Sequence, residues 1–175
     1  MLHGWANRMA SVFVEWNGSG REHEYRVAQI QDSVCFCLHR LSWRECFFVG
    51  ARKMICQLEA PDAESVRVAL RQARINVDAV WAGSVHDVGE PGTANVAVER
   101  RFLAQLPANA EETVAWLQKA WLKPSGLSLV RAIVPHSRDR VICLCAVAAH
   151  DGTFAPAGTG YDSIRSVRRA SRVAR

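Results

Sequence analysis

The chain is written twice, and this restricts its architecture more than any other feature. Val12-Phe-Val-Glu-Trp16 returns as Val96-Ala-Val-Glu-Arg100, and Arg52-Lys-Met-Ile-Cys56 returns as Asp139-Arg-Val-Ile-Cys143, at shifts of 84 and 87 residues. Two supersecondary units in tandem is the economical explanation. A third echo, Ser65-Val-Arg67 against Ser163-Ile-Arg165, lies at a shift of 98. The additional residues fall in Ala149 to Gly160, whose Gly, Ala and Pro content predicts a loop inserted into the second copy.

Within the first copy, Val12 to Trp16 alternates with Val12, Val14 and Trp16 on one face, the pattern of a strand. Residues 24–41 carry apolar side chains at 27, 30, 34, 37, 38 and 41, the pattern of an amphipathic helix. Residues 43–49 and 54–59 are predicted strands joined by the turn Gly50-Ala51-Arg52. Pro61-Asp62-Ala63-Glu64 then places proline and two acids where a helix starts. That helix is predicted to end near Ala73, and residues 79–86 give a fourth strand. The path is βαββαβ, the ferredoxin-like arrangement. The second copy predicts strand 95–102, helix 109–122, strands 127–134 and 140–149, and a helix from 161 to about 174.

Four parts follow: an N-terminal arm over 1–11, a ferredoxin-like unit over 12–87, a linker over 88–94 with two glycines and a proline, and an incomplete ferredoxin-like unit over 95–175. The expected fold class is α+β, two tandem ferredoxin-like units whose sheets form a pseudo-dimeric α/β barrel, the second unit lacking its last strand. An uncovered sheet edge offers unpaired backbone groups, which predicts a homodimer, with the 149–160 insertion as the alternative cover.

Composition excludes several classes of protein. The chain has 175 residues, 49% hydrophobic and 22% charged, which suits an ordinary folded domain rather than a disordered or fibrous one. Net charge is +5, but residues 161–175 alone hold five Arg and one Asp, so the rest is close to neutral. A broad basic surface for nucleic acid is therefore not expected. No run of about 18 to 20 apolar residues could span a bilayer, and the first eight residues lack the apolar core of a secretory signal. A cytoplasmic location is expected, with all six cysteines (35, 37, 46, 56, 143, 145) as reduced thiols inside apolar runs.

Residues Lys53-Met-Ile-Cys-Gln-Leu-Glu-Ala-Pro-Asp-Ala-Glu-Ser-Val-Arg67, followed by Asp78-Ala-Val-Trp81, resemble a bacterial family of domains of unknown function described as nickel-binding-protein-like and ferredoxin-like. The likeness spans most of 12–87 and, more weakly, 95–148 and 163–170. It implies a ferredoxin-like fold and a transition-metal ligand, nickel first. Two positions depart from the family: Leu70 stands where many relatives carry a His inside the second helix, and Arg74 where they carry a Gly near its end.

Five residues are candidate metal ligands. Cys35 and His39, four apart on one helix, share a face and have the spacing of two ligands for a soft or borderline metal. A buried thiol beside a histidine at a helix C-terminus accounts for the same pair without metal. Cys37 is expected on the core stripe. Glu15 and Glu99 sit at equivalent places on the face opposite the valines, suited to metal binding or general-base work, or to ion pairs with strand arginines such as Arg44 or Arg131. His86 is a third possible ligand near a strand end. Cys143 and Cys145 alternate on one strand face, with Cys56 equivalent to Cys143, and are expected as core residues.

The sequence holds no phosphate loop, His-Glu-x-x-His, paired Cys-x-x-Cys or nucleophile elbow. Arg165, Arg168, Arg172 and Arg175 recur at helical spacing and predict a basic amphipathic C-terminal helix. The functional expectation is a non-catalytic cytoplasmic binding protein for a transition metal or a small ligand. The alternative is a small α/β-barrel enzyme, oxygenase- or cyclase-like, using a cavity lined by Glu15 and Glu99 with Trp81 or His86.

Overall fold

A computed structural model describes residues 9–18, 20–90, 92–102, 106–107, 109–122, 126–147 and 163–169. The expected insertion 149–160, most of the N-terminal arm, and Arg172 and Arg175 lie outside these. The chain divides into two compact units, Met1–Gly83 with Arg169–Arg175, and Ser84–Arg168.

Unit 1 runs β1 (Ala10–Asn17), α1 (Gly20–Asp32), α2 (Val34–Leu38), β2 (Ser42–Val49), β3 (Lys53–Ala60), α3 (Ala63–Gln72) and the first part of β4 (Ala79–Asp87). Its strands lie in the order β4-β1-β3-β2, antiparallel throughout. Val12, Val14 and Trp16 share one core with Val27, Ile30, Phe36, Val66 and Leu70 of the helices. At roughly 1.5–3 kcal/mol for each large side chain taken from water, this face outweighs any local preference. The opposite face of the same strands is also withdrawn from solvent at Phe13, Phe47 and Ile55.

The single helix predicted over 24–41 is interrupted. Ser33 has extended backbone (φ −74°, ψ 119°), and this break resets the helical phase. Phe36 turns inward, whereas Val34 and Leu38 are 70% and 73% exposed. Cys37, expected in the core, is exposed for the same reason, and Cys35 packs against the core instead.

The second helix begins where proline and the two acids predicted. Asp62 caps α3 by accepting the Ser65 N–H at 2.7 Å. The usual C-terminal glycine is replaced: Arg74 has φ 55°, with Ile75 N–H donating to the Leu70 carbonyl at 2.9 Å. A side chain in that left-handed position costs about 1–2 kcal/mol, which glycine avoids at the price of a looser unfolded chain. Arg74→Gly is therefore expected to raise stability by up to about 1 kcal/mol in urea unfolding; no gain would show that Arg74 contacts offset the strain.

Unit 2 contains the end of β4, β5 (Val96–Arg101), α4 (Ala110–Trp116) with a π-helical continuation (Leu117–Leu122), β6 (Ser128–Pro135), β7 (Arg140–Ala146) and β8 (Ser163–Arg169, up to Arg168). β5 pairs with β7 on one side and β8 on the other. Leu117 and Leu122, five apart, are both fully buried because the wider π turn keeps them on one side. They pack with Val98, Leu129, Val141, Cys143 and Cys145.

The expected fold class is corrected. In place of two ferredoxin-like units forming a pseudo-dimeric α/β barrel, the second one strand short, the described residues hold more strand than helix, with antiparallel strands ordered β4-β1-β3-β2 in unit 1 and β8-β5-β7-β6 in unit 2. The segment predicted as a basic C-terminal helix is β8 over 163–169. Ile164 and Val167 are β-branched, and the free edge of β5 offers a ladder that a helix would leave unpaired. Val98 faces Ile164 across that ladder, and the Val167 N–H reaches the Asn95 carbonyl at 2.9 Å. With that edge occupied, the reason for a homodimer is removed.

Candidate functional site

The five candidate ligands are not brought together. Among the described residues no group of three or more His, Cys, Asp and Glu could hold a metal ion. The candidates therefore do not form one described ligand set, and each has contacts of another kind. His39 closes α2, its N–H donating to the Cys35 carbonyl at 3.1 Å and its Nε2 lying 2.8 Å from Gln72 Oε1.

Glu15 is 6% exposed on β1. Its Oε1 accepts from the Trp81 indole N–H at 2.6 Å, and its Oε2 lies 3.1 Å from Lys53 Nζ. Trp81 stacks on Phe13 with centroids 4.4 Å apart. Unit 2 repeats the ion pair: Glu99 Oε1 meets Arg140 Nη1 at 3.1 Å. The registers match, with Glu15 opposite Ile55 and Glu99 opposite Ile142, and each base lies two residues before that isoleucine. The arginines expected as partners are engaged elsewhere, Arg44 with Glu59 and Arg131 with Asp87.

Cys46, Cys56, Cys143 and Cys145 serve packing. Cys46 and Cys56 stand opposite one another on β2 and β3 and are joined as a disulfide, so two of the six expected thiols are paired. Cys143 and Cys145 are buried thiols in unit 2. Desolvation pushes the Cys143 thiol well above its usual range, and lifts Cys145 to about 12. Because the thiolate is the nucleophile, both are inert at neutral pH. A thiol reagent at pH 8 is expected to label exposed Cys37 quickly, and Cys143 and Cys145 only after unfolding; fast labelling of either in the native protein would contradict their burial.

His86 is the exception among the candidates, because it borders a cavity. The pocket has a volume of about 300 Å³ and is lined by Ser84, His86, Pro107, Thr113, Val134, Pro135, His136 and Arg138, all in unit 2. Alternation along β4 puts Ser84 and His86 on one face, with the imidazole Nε2 2.8 Å from the Ser84 hydroxyl. Asp87, on the other face, forks onto Arg131 of β6 through Nε and, at 3.1 Å, through Nη2. Val88 and Gly89 N–H groups both donate to the Val130 carbonyl, at 2.9 and 3.0 Å. These bonds fix one wall of the pocket against β6.

The other wall comes from the β6–β7 turn and the start of α4. Arg138 has φ 54°, its N–H donating to the Pro135 carbonyl and its own carbonyl accepting from Leu106, both at 2.9 Å. Thr113, 1% exposed, donates its hydroxyl to the Pro107 and Asn109 carbonyls at 3.2 and 3.0 Å. The floor is apolar, made by Val134 with Pro135. Glu15, Glu99 and Trp81 do not line this pocket.

Sequence reasoning found His86 but missed Ser84, His136 and Arg138. The available signal was Pro135-His-Ser-Arg-Asp139, a polar turn between two apolar strands holding an imidazole and a guanidinium. No family model matches the chain, and comparison with curated proteins finds no relative. No helix among the described residues is long and apolar enough to cross a membrane.

Proposed function

We propose that the chain is a non-catalytic cytoplasmic binding protein for a small molecule, and that the molecule occupies the pocket of unit 2. The observation that carries this reading is the pocket itself: a preformed cavity of about 300 Å³ with an apolar floor and a few converging polar groups. Ligand sites have this build, and the volume lies at the small end of their range. The walls are held by the Asp87–Arg131 fork and by the turn at Arg138, so a ligand would meet groups already in place, and less of its binding energy would go into ordering them. Four of the six cysteines are free thiols, as in a reducing compartment, and the Cys46–Cys56 disulfide stands against that location.

The test compares native protein with Ser84→Phe, which fills the cavity from a half-buried wall position, and with His86→Ala. A panel of small acids, amides and alcohols is screened by saturation-transfer NMR, with circular dichroism checking that both variants are folded. Binding by the native protein that weakens about tenfold or more in a folded Ser84→Phe variant is expected. Equal binding by both would place the ligand elsewhere.

A further inference from the structure

We propose that this pocket takes a small organic oxyanion, a carboxylate or a phosphate monoester, held through Arg138 with His86 and His136 as further donors; the inference rests on the pocket being the ligand site. The lining holds one guanidinium, two imidazoles and two hydroxyls, and no carboxylate. Arg138 is half-buried, and among the described residues no acid pairs with its side chain. A guanidinium cannot lose its charge in a protein, and its planar fork matches two oxygens of a carboxylate or phosphate.

The acids nearest in sequence are turned to other partners. Asp87 is taken by Arg131, and Asp139 accepts from the Ser137 hydroxyl. The Thr113 hydroxyl has given its proton to two carbonyls, and His86 Nε2 and the Ser84 hydroxyl share one proton between them, so the donors that remain for a ligand are the Arg138 guanidinium, His136 and either the Ser84 O–H or the second nitrogen of His86. An excess of donors over acceptors selects an acceptor-rich ligand. Beside them, the buried Val134 and Pro135 form an apolar surface, which lowers the local dielectric around a charged hydrogen bond and leaves room for a short apolar body. The anion group therefore belongs at Arg138 and the carbon chain over Val134.

Isothermal titration with butyrate, propyl phosphate and the neutral butyramide tests this, using native protein, Arg138→Gln, Arg138→Lys, Ser84→Phe and the exposed unit 1 control Arg71→Gln. At least one anion is expected to bind about tenfold or more tighter than butyramide. Arg138→Gln is expected to reduce it to the butyramide level, Arg138→Lys to give an intermediate value, and Arg71→Gln to change nothing. Which anion binds better separates the carboxylate from the phosphate source. Butyramide binding as well as both anions, or anion binding indifferent to Arg138→Gln, would overturn the charge inference and leave the pocket as a ligand site. No binding by any probe, or anion binding indifferent to Ser84→Phe, would overturn both.

Discussion

Glu15→Ala is expected to lower the unfolding free energy by about 3 kcal/mol, the scale for removing one member of a nearly buried ion pair. The carboxylate is 6% exposed and serves two partners, the Trp81 indole at 2.6 Å and the Lys53 ammonium at 3.1 Å. Removing it takes the acceptor from the indole and this counter-charge from a lysine whose side chain is 13% exposed. Replacing the whole pair by apolar groups should be far less harmful, because no desolvated charge is left behind. Urea unfolding of Glu15→Ala, Lys53→Met and the double variant separates the terms. The double variant should be more stable than Glu15→Ala alone. A loss below about 1 kcal/mol in Glu15→Ala would show that the pair is solvated and weak.

Asp87→Ala is expected to destabilise by about 2 kcal/mol and to weaken ligand binding at the unit 2 pocket. Arg131 is 7% exposed and receives both oxygens of Asp87, whose own side chain is half exposed. That exposure places the expected loss below the range for a fully buried pair. The same fork ties the end of β4 to β6, and β4 carries Ser84 and His86 into the pocket. Loss of stability and of affinity should therefore appear together. A folded Asp87→Ala protein with unchanged affinity would mean that the β4 wall is held by its backbone bonds to Val130 alone.

The repeat made the strands of both units legible, because a strand with one face in a core must alternate, and its apolar positions survive duplication. It also carried the ion pairs: Arg52-Lys-Met-Ile-Cys56 and Asp139-Arg-Val-Ile-Cys143 hold the partners of Glu15 and Glu99 at matching places, although Arg44 and Arg131 were the expected ones. What misled was the third echo. Ser65-Val-Arg67 lies in α3 and Ser163-Ile-Arg165 in β8, so identical spacing of residue types marks unrelated elements. The register gives the true correspondence: Glu15 faces Ala79 as Glu99 faces Ser163, keeping the 84-residue shift of the first strands. β8 thus answers to β4, and the second copy does have a last strand.

The remaining differences have local causes. Ser33 breaks the first helix, and one break inverts the burial of Val34, Cys37 and Leu38, which a continuous 3.6-residue period cannot foresee. The candidate ligands were chosen by residue type and spacing within an element. A pocket is instead set by which turns meet, so His86 found its neighbours in Arg138 and His136, some fifty residues away.

On this reading a ligand enters the unit 2 pocket and not the Glu15–Trp81 arrangement of unit 1. The most direct test is nitrogen-edited NMR of histidine and tryptophan side chains during titration with butyrate, propyl phosphate and butyramide. The imidazole signals of His86 and His136 are expected to move together and saturably, while His39, held by Gln72, and the Trp81 indole N–H, held by Glu15, stay in place. Movement of the Trp81 indole with His86 and His136 unchanged would contradict this reading.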